Sequence, residues 1–468
     1  MLSSISKSST LVNPIDSAAT MPEERGLPLL GALPHLLSNP FRFLEQAFQR
    51  HGDLYALNLG FVKLVILNHP RHAQHILRDH AQNYYKGGAL WQAVRPLTGN
   101  GLVSSEGDFW LRQRRMMQPQ FHRQRLAGLT HLMIEGIQEA LNSWDQQADG
   151  KTSINLAQNL NGLTMRVVVK TLFGTALSPQ EIDQVGEDMG FALDYVMIEA
   201  LAKSLPQWFP MPNRKKFKQA IARFDHLVYR IIEQGRRVQA EQQESDNHLL
   251  AMLLNTVDEE TGEGMSDQQL RDEVATLFLA GYETTSVALS WAFHYLTGQP
   301  EVMATLQNEV QSAFGGRTPG FADLTNLPYT RMVLQEVMRL RPPSYWLPRT
   351  AKEEDTIDGY TIPAGTHVAS FTYMYHRHPE FWPNSEHFDP QRFSPEQSAG
   401  RHHFAWIPFG AGQRLCIGRD FALMEGTLAL AMIIQRYQVK AIEGHQPKLT
   451  LTTTLRPTGG VNVMLEKR

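Results

Sequence analysis

The chain has 468 residues, 42% of them apolar and 19% charged, with a net charge of -3 at neutral pH. So much apolar residue in so long a chain excludes an intrinsically disordered protein, and the near-neutral balance gives no basis for nucleic-acid binding. A single cysteine, Cys416, excludes an internal disulfide and any all-cysteine zinc or iron–sulfur site, and fits a reducing compartment, expected here to be the cytoplasm.

Residues 1–22 are predicted to be a loose tail before a single domain over 23–468. No long apolar run follows a charged start, so neither a signal peptide nor a transmembrane anchor is expected. The stretch Gly26–His35 is broken by Pro28 and Pro34. Leu54–Leu59 and Val62–Leu67 alternate like strands, and Gly60 between them predicts a hairpin. Helical period follows, for example over 134–141 and 227–232. Polar stretches at 239–245 and 258–264 read as surface loops. A helix of about 30 residues is predicted from Ser266, an N-cap with Gln269 placed to complete a capping box. Late in the chain, Pro363–Gly365 marks a turn, and 449–465 reads as a hairpin broken at Pro457–Gly460. The predicted fold is mainly α, with small peripheral β-sheets.

Several residues carry chemistry. Trp110 and Arg114 lie one helical turn apart, so an indole N–H and a guanidinium can face one carboxylate. In the middle of the long helix, Ala280-Gly281-Tyr282-Glu283-Thr284-Thr285 interrupts a good helix former with a glycine and hydroxyls that bond back to carbonyls, which predicts a bend. Glu336 and Arg339 are spaced to bridge, and Arg392 in the Phe388–Phe393 loop offers a second partner. Arg349 follows Pro342-Pro343 in an extended segment. Cys416 sits in the run Phe409-Gly-Ala-Gly-Gln-Arg-Leu-Cys-Ile-Gly418. By itself a lone cysteine is either a small buried hydrophobe or a single axial thiolate. Each arginine alone is either a solvated charge or an anion partner.

Together these motifs resemble the cytochrome P450 family of haem-thiolate monooxygenases, over about residues 24–468. Phe409, Gly412, Arg414, Cys416 and Gly418 fill the family's haem-loop positions, and Ala280, Gly281, Glu283, Thr284 and Thr285 fill its distal-helix signature. The resemblance implies the P450 fold, haem b held by Cys416, and O2 as co-substrate. It implies Trp110, Arg114, Arg349 and Arg414 as propionate partners, with Phe409, Gly418 and Ala280 packed on the haem. Glu283 and Thr284 are the implied proton relay. Glu336, Arg339 and Arg392 form the implied structural network supporting the haem loop.

The family's reaction would hydroxylate or epoxidise a lipophilic substrate such as a fatty acid, terpenoid or polyketide. Expected pocket residues are Trp91, Leu97, Phe191, Val196, Phe278, Tyr345, Trp346 and Leu347. The segment Trp208–Pro212 is expected to cover the channel. Electrons are expected from NAD(P)H through a reductase and a ferredoxin or flavodoxin, steered by Arg112, Arg115, Arg123, Arg125 and Arg419. A monomer is expected. Two alternatives share the scaffold: a peroxide-driven hydroxylase or oxide-rearranging isomerase, and a haem sensor without turnover. Retention of both Glu283 and Thr284 disfavours both.

Overall fold

The computed structural model describes residues 20–60, 62–174, 177–203, 211–240, 248–449 and 452–468. Most of the expected tail, Trp208–Pro210 of the expected channel cover and 241–245 of an expected loop lie outside these residues. Within the expected tail, Met21 packs against the core and the Pro22 carbonyl accepts from Ala56 N at 2.8 Å.

A helical lobe is built around the long helix Asp267–Thr297. Its capping box forms as the sequence predicts: Ser266 Oγ accepts from Gln269 N at 3.2 Å, and Ser266 N donates to Gln269 Oε1 at 2.9 Å. This fixes where the helix starts, and with it which residues face each neighbour. Leu270, Val274, Phe278, Val287, Leu289 and Phe293 are all buried, because helices pack around the whole circumference. The principal neighbours are Leu156–Phe173, Arg214–Ala240, Pro328–Leu340 and Arg419–Arg436.

The helix stays continuous through Ala280–Thr285. Gly281 has a packing reason: a Cβ there would meet Val168 Cγ2 at 2.9 Å. The neighbouring helix also supplies Thr164, whose hydroxyl donates to the Tyr282 carbonyl at 2.7 Å.

A six-stranded sheet lies apart from this lobe, in the spatial order Glu23–Glu24, Leu54–Asn58, Lys63–Leu67, His367–Ser370, Leu347–Ala351, Tyr84–Tyr85. The expected early hairpin is present, with Leu54 opposite Leu67 and Asn58 opposite Lys63. Gly60 turns it at φ +86°, a conformation that favours glycine. The expected C-terminal hairpin is corrected. Lys448–Leu449 does pair with Pro457–Thr458, but Asn462–Lys467 leaves to lie between Tyr437–Ala441 and Asp149–Asn155. Its apolar residues Val463 and Leu465 are thereby buried. Among the described residues, no helix is long and apolar enough to cross a membrane.

Candidate active site

A cavity of about 350 Å³ opens between the long helix and the cysteine loop. Ala280, Gly281, Thr284 and Thr285 form one wall, and Phe409, Arg414, Cys416 and Gly418 line it from the loop.

The loop owes its shape to glycine. Gly410 and Gly412 have φ of +69° and +66°, and a Cβ on Gly412 would lie 1.8 Å from the Leu77 carbonyl oxygen. The tight turn is closed by Cys416 N donating to Phe409 O at 3.0 Å. Cys416 lies deep in the protein, yet its surface is open because it faces the cavity. Burial pushes its thiol up in pKa, while the Gly418 N–H, Arg114 and Arg419 act against that rise.

One end of the cavity is strongly cationic. Arg114, Arg349 and Arg414 line it, as does Lys86, which the sequence reading missed. Arg414 stacks over the Trp110 ring at 3.8 Å and pairs with Glu106 at 2.7 Å. Arg114 donates to Leu415 O at 2.9 Å, Arg349 to Pro348 O at 2.7 Å, and Lys86 Nζ to Val103 O at 2.5 Å. Among the described residues, Glu106 is the one carboxylate in an ion pair with any of these four cations. Burial, reinforced by Arg349 and Arg414, drives Lys86 well below the usual lysine range. Burial and then Arg414 bring Arg349 down to about 10. Cations so poorly compensated call for an anionic ligand. Haem fits it: two propionates for the cations, a thiol for the iron, and glycines that let backbone approach a flat ring.

Two buried carboxyl groups neighbour residues of the cavity wall, Glu283 beside Thr284 and Glu425 beside Gly426. Glu283 is 5% exposed and absent from the cavity wall. Its Oε1 accepts from Thr454 Oγ1 at 2.7 Å and pairs with Arg456 Nε at 3.1 Å. Consecutive helical residues point about 100° apart, so Glu283 faces the C-terminal loop while Thr284 faces the cavity. The relay expected of both residues is therefore not assembled in this arrangement. Thr284 Oγ1 donates to Ala280 O at 2.6 Å. The second group, Glu425, is fully buried and has no hydrogen-bond partner on either oxygen. The Thr285 hydroxyl is near enough to lower its pKa slightly, but lies outside hydrogen-bonding geometry. Burial raises Glu425 to about 8. No local pattern marks it, because a lone glutamate in a helix reads as a solvated face.

Glu336 is fully buried and takes Arg339 in a bidentate pair at 2.7 and 2.8 Å. Arg339 also donates to His376 O at 3.0 Å, and Asp389 N donates to Glu336 Oε1 at 2.9 Å. Arg392 approaches Glu336 only to ion-pair distance, 3.5 Å, and spends its other nitrogens on the carbonyls of Pro383 and Asn384. This ties the Phe388–Phe393 loop to the helix that carries Glu336.

Of the expected pocket residues, Trp91, Trp346 and Leu347 line the cavity. The other five are corrected. Leu97, Val196, Phe278 and Tyr345 are 2% exposed or less and belong to the core. Phe278 packs on Phe224 and Tyr282, and Tyr345 donates its hydroxyl to Thr452 O. Phe191 stacks on Tyr195 beneath Lys216. Leu102, Val103, Thr276 and Leu277 line the cavity instead. Two of the arginines expected to steer a partner are also spoken for. Arg112 and Arg115 both pair with the buried Asp258.

A family model described as Cytochrome P450 matches residues 21–465. "Cyclooctatin synthase" of Streptomyces melanosporofaciens is 34% identical, over 91% of this chain and 92% of its own. "Cyclooctat-9-en-7-ol 5-monooxygenase" of the same organism is 33% identical over 89% of each, and "Pentalenene oxygenase" of Streptomyces avermitilis is 28% identical. The crystal structure of a cytochrome P450DA heme domain superposes with a TM-score of 0.87 at 26% identity, over 96% of this chain and 98% of that one. With the thiol, the cationic end and the threonine wall sharing one cavity, the chain belongs to the cytochrome P450 family and is a monooxygenase of that family.

Proposed function

We propose that the protein inserts one oxygen atom of O2 into a C–H bond, or across a C=C bond, of a terpenoid-sized lipophilic molecule. The reaction balances as substrate, O2, two electrons and two protons giving oxygenated substrate and water. Supporting the substrate class are the relatives named for cyclooctatin, cyclooctat-9-en-7-ol and pentalenene and the apolar Trp91, Trp346, Leu102 and Leu289 on the cavity wall.

Haem, when bound, supplies the redox and oxygen-activating chemistry, its thiolate ligand favouring O–O cleavage. Cys416 would hold its iron, and Lys86, Arg114, Arg349 and Arg414 its propionates, with the Trp110 indole beside them. Thr284 lines the cavity with its hydroxyl proton committed to Ala280 O, so its oxygen would accept a hydrogen bond from a donor in the cavity. Trp91 and Trp346 orient the substrate and exclude bulk water. Two electrons come from NAD(P)H through a reductase and a small ferredoxin or flavodoxin.

The observation that carries this reading is that Cys416 and Thr284 open on one cavity that is also lined by Arg114, Arg349 and Arg414, with Glu106 their one carboxylate partner among the described residues. The test is the carbon monoxide spectrum of the reduced protein. A red-shifted Soret band is expected, lost in Cys416→His. An unchanged band in that variant would refute thiolate ligation from position 416.

A further inference from the structure

Two clusters of histidine and carboxylate lie outside the cavity: Asp53 with His69 and His378, and His75 with His80 and Asp355. The ligand atoms of each lie within 4.8 Å of one another. Their hydrogen bonds separate them.

In the first, both ring nitrogens of both histidines are occupied. His69 Nδ1 accepts from Arg71 N at 3.0 Å, and His378 Nδ1 from Glu380 N at 3.3 Å. Each Nε2 must then carry the proton, donated to Glu380 at 3.2 Å and Asp53 at 3.1 Å. A metal on Nε2 would need either an imidazolate or the loss of a backbone hydrogen bond. This cluster is a structural clasp.

The second is differently built. His75–Asp79 is one turn of π-helix, closed by His80 N donating to His75 O at 2.8 Å. That five-residue spacing stacks the two imidazoles, centroids 3.9 Å apart. π-Turns are rare and tend to mark functional positions. His75 Nε2 lies 2.8 Å from Asp355 Oδ2, and His80 Nδ1 lies 3.7 Å from the same oxygen. Tyr84 donates to that oxygen at 2.8 Å and so orients the carboxylate. Among the described residues, no hydrogen bond occupies His75 Nδ1 or His80 Nε2, so each ring can carry its proton there and free the nitrogen nearer Asp355. Glu353 and Glu354 precede Asp355 and add negative field.

We propose that His75, His80 and Asp355 bind one zinc ion. Two imidazoles and a carboxylate suit zinc, with a fourth position left to water, and suit calcium or magnesium poorly. The rings are nearly parallel, 14° apart, so both lone pairs reach one ion only after His80 turns. Its side chain is 50% exposed and free to do so. Bound zinc clamps the π-turn to the hairpin of Asp355–Ile357 and Tyr360–Ile362. The same turn carries Leu77, whose carbonyl abuts Gly412 in the cysteine loop.

The test is calorimetric titration of the haem-loaded protein with zinc chloride, together with the shift in melting temperature. One zinc per chain and a raised melting temperature are expected. His80→Ala and the isosteric Asp355→Asn should each weaken binding at least about tenfold, while His378→Ala leaves it unchanged. His80 is exposed and its removal spares the fold. No zinc bound by wild type, or affinity unaltered in His80→Ala and Asp355→Asn, would overturn the site.

Discussion

Glu425 makes the pH dependence of stability a sharp test of the buried helix that follows the cysteine loop. Its carboxyl is raised from the ordinary 4.5 to about 8, by burial with no charge partner. Between those values the native protein keeps a proton that the unfolded chain has released. The native state therefore binds more protons, and stability falls as pH rises, until the loss is complete above about 8. At 1.36 kcal/mol per pH unit, the full loss is on the order of 5 kcal/mol. Glu425→Gln removes the titration and keeps the shape. The amide still leaves a buried polar group unpaired, a roughly constant cost of about 1–3 kcal/mol. Glu273, also raised to about 8 by burial, is common to both proteins and cancels in their difference. Urea unfolding of wild type and variant, followed by circular dichroism from pH 5 to 8.5, should show the variant gaining a few kcal/mol relative to wild type as pH rises. A difference that stays flat with pH would refute a neutral Glu425 in the native state.

Glu336→Ala strands the fully buried Arg339, so it should cost about 3–5 kcal/mol and lower haem incorporation; the purified variant's haem-to-protein ratio checks this. Thr284→Ala should divert reducing equivalents to peroxide or water, lowering product formed per NAD(P)H consumed; unchanged coupling would exclude the hydroxyl from oxygen handling. Gly412→Ala forces a Cβ onto the Leu77 carbonyl and a left-handed φ onto alanine. It should shift the cysteine loop and lower haem loading, read from the same ratio.

Local signals were readable in the chain and distant ones were not. The capping box at Ser266 and the 54–67 hairpin need only neighbours in sequence, and both form as read. The motif residues Trp110, Arg114, Thr284, Arg349, Arg414 and Cys416 line one cavity, and each is legible from residue type at a fixed spacing. Lys86 has no such spacing; its meaning comes from three arginines brought in by other segments. Glu425 misleads because helix Arg419–Arg436 is buried on nearly every side, so a polar residue there does not mark a solvated face. The five misplaced pocket residues share a cause. Aromatic and aliphatic side chains serve core and cavity equally, and periodicity gives a helix's buried stripe without naming its neighbour. The strand Asn462–Lys467 pairs with Asp149–Asn155, a partner no turn signal announces.

The motif around Thr284 serves two surfaces, which bears on how substrate and oxygen chemistry are linked. Thr284 faces the cavity. Glu283 holds the 452–456 loop through Thr454 and Arg456, and Arg456 in turn pairs with Asp194 on the Pro179–Ala202 helix. Burial raises Glu283, and Arg456 holds that rise down. The 452–456 loop is held to the long helix at a further point, where Trp291 Nε1 donates to Leu455 O at 2.7 Å. Thr453 of that loop also donates to Leu193 O, so the loop joins the long helix to the Pro179–Ala202 helix. Adjacent residues on one helix thereby face different surroundings, Thr284 the cavity and Glu283 the loop that reaches Pro179–Ala202.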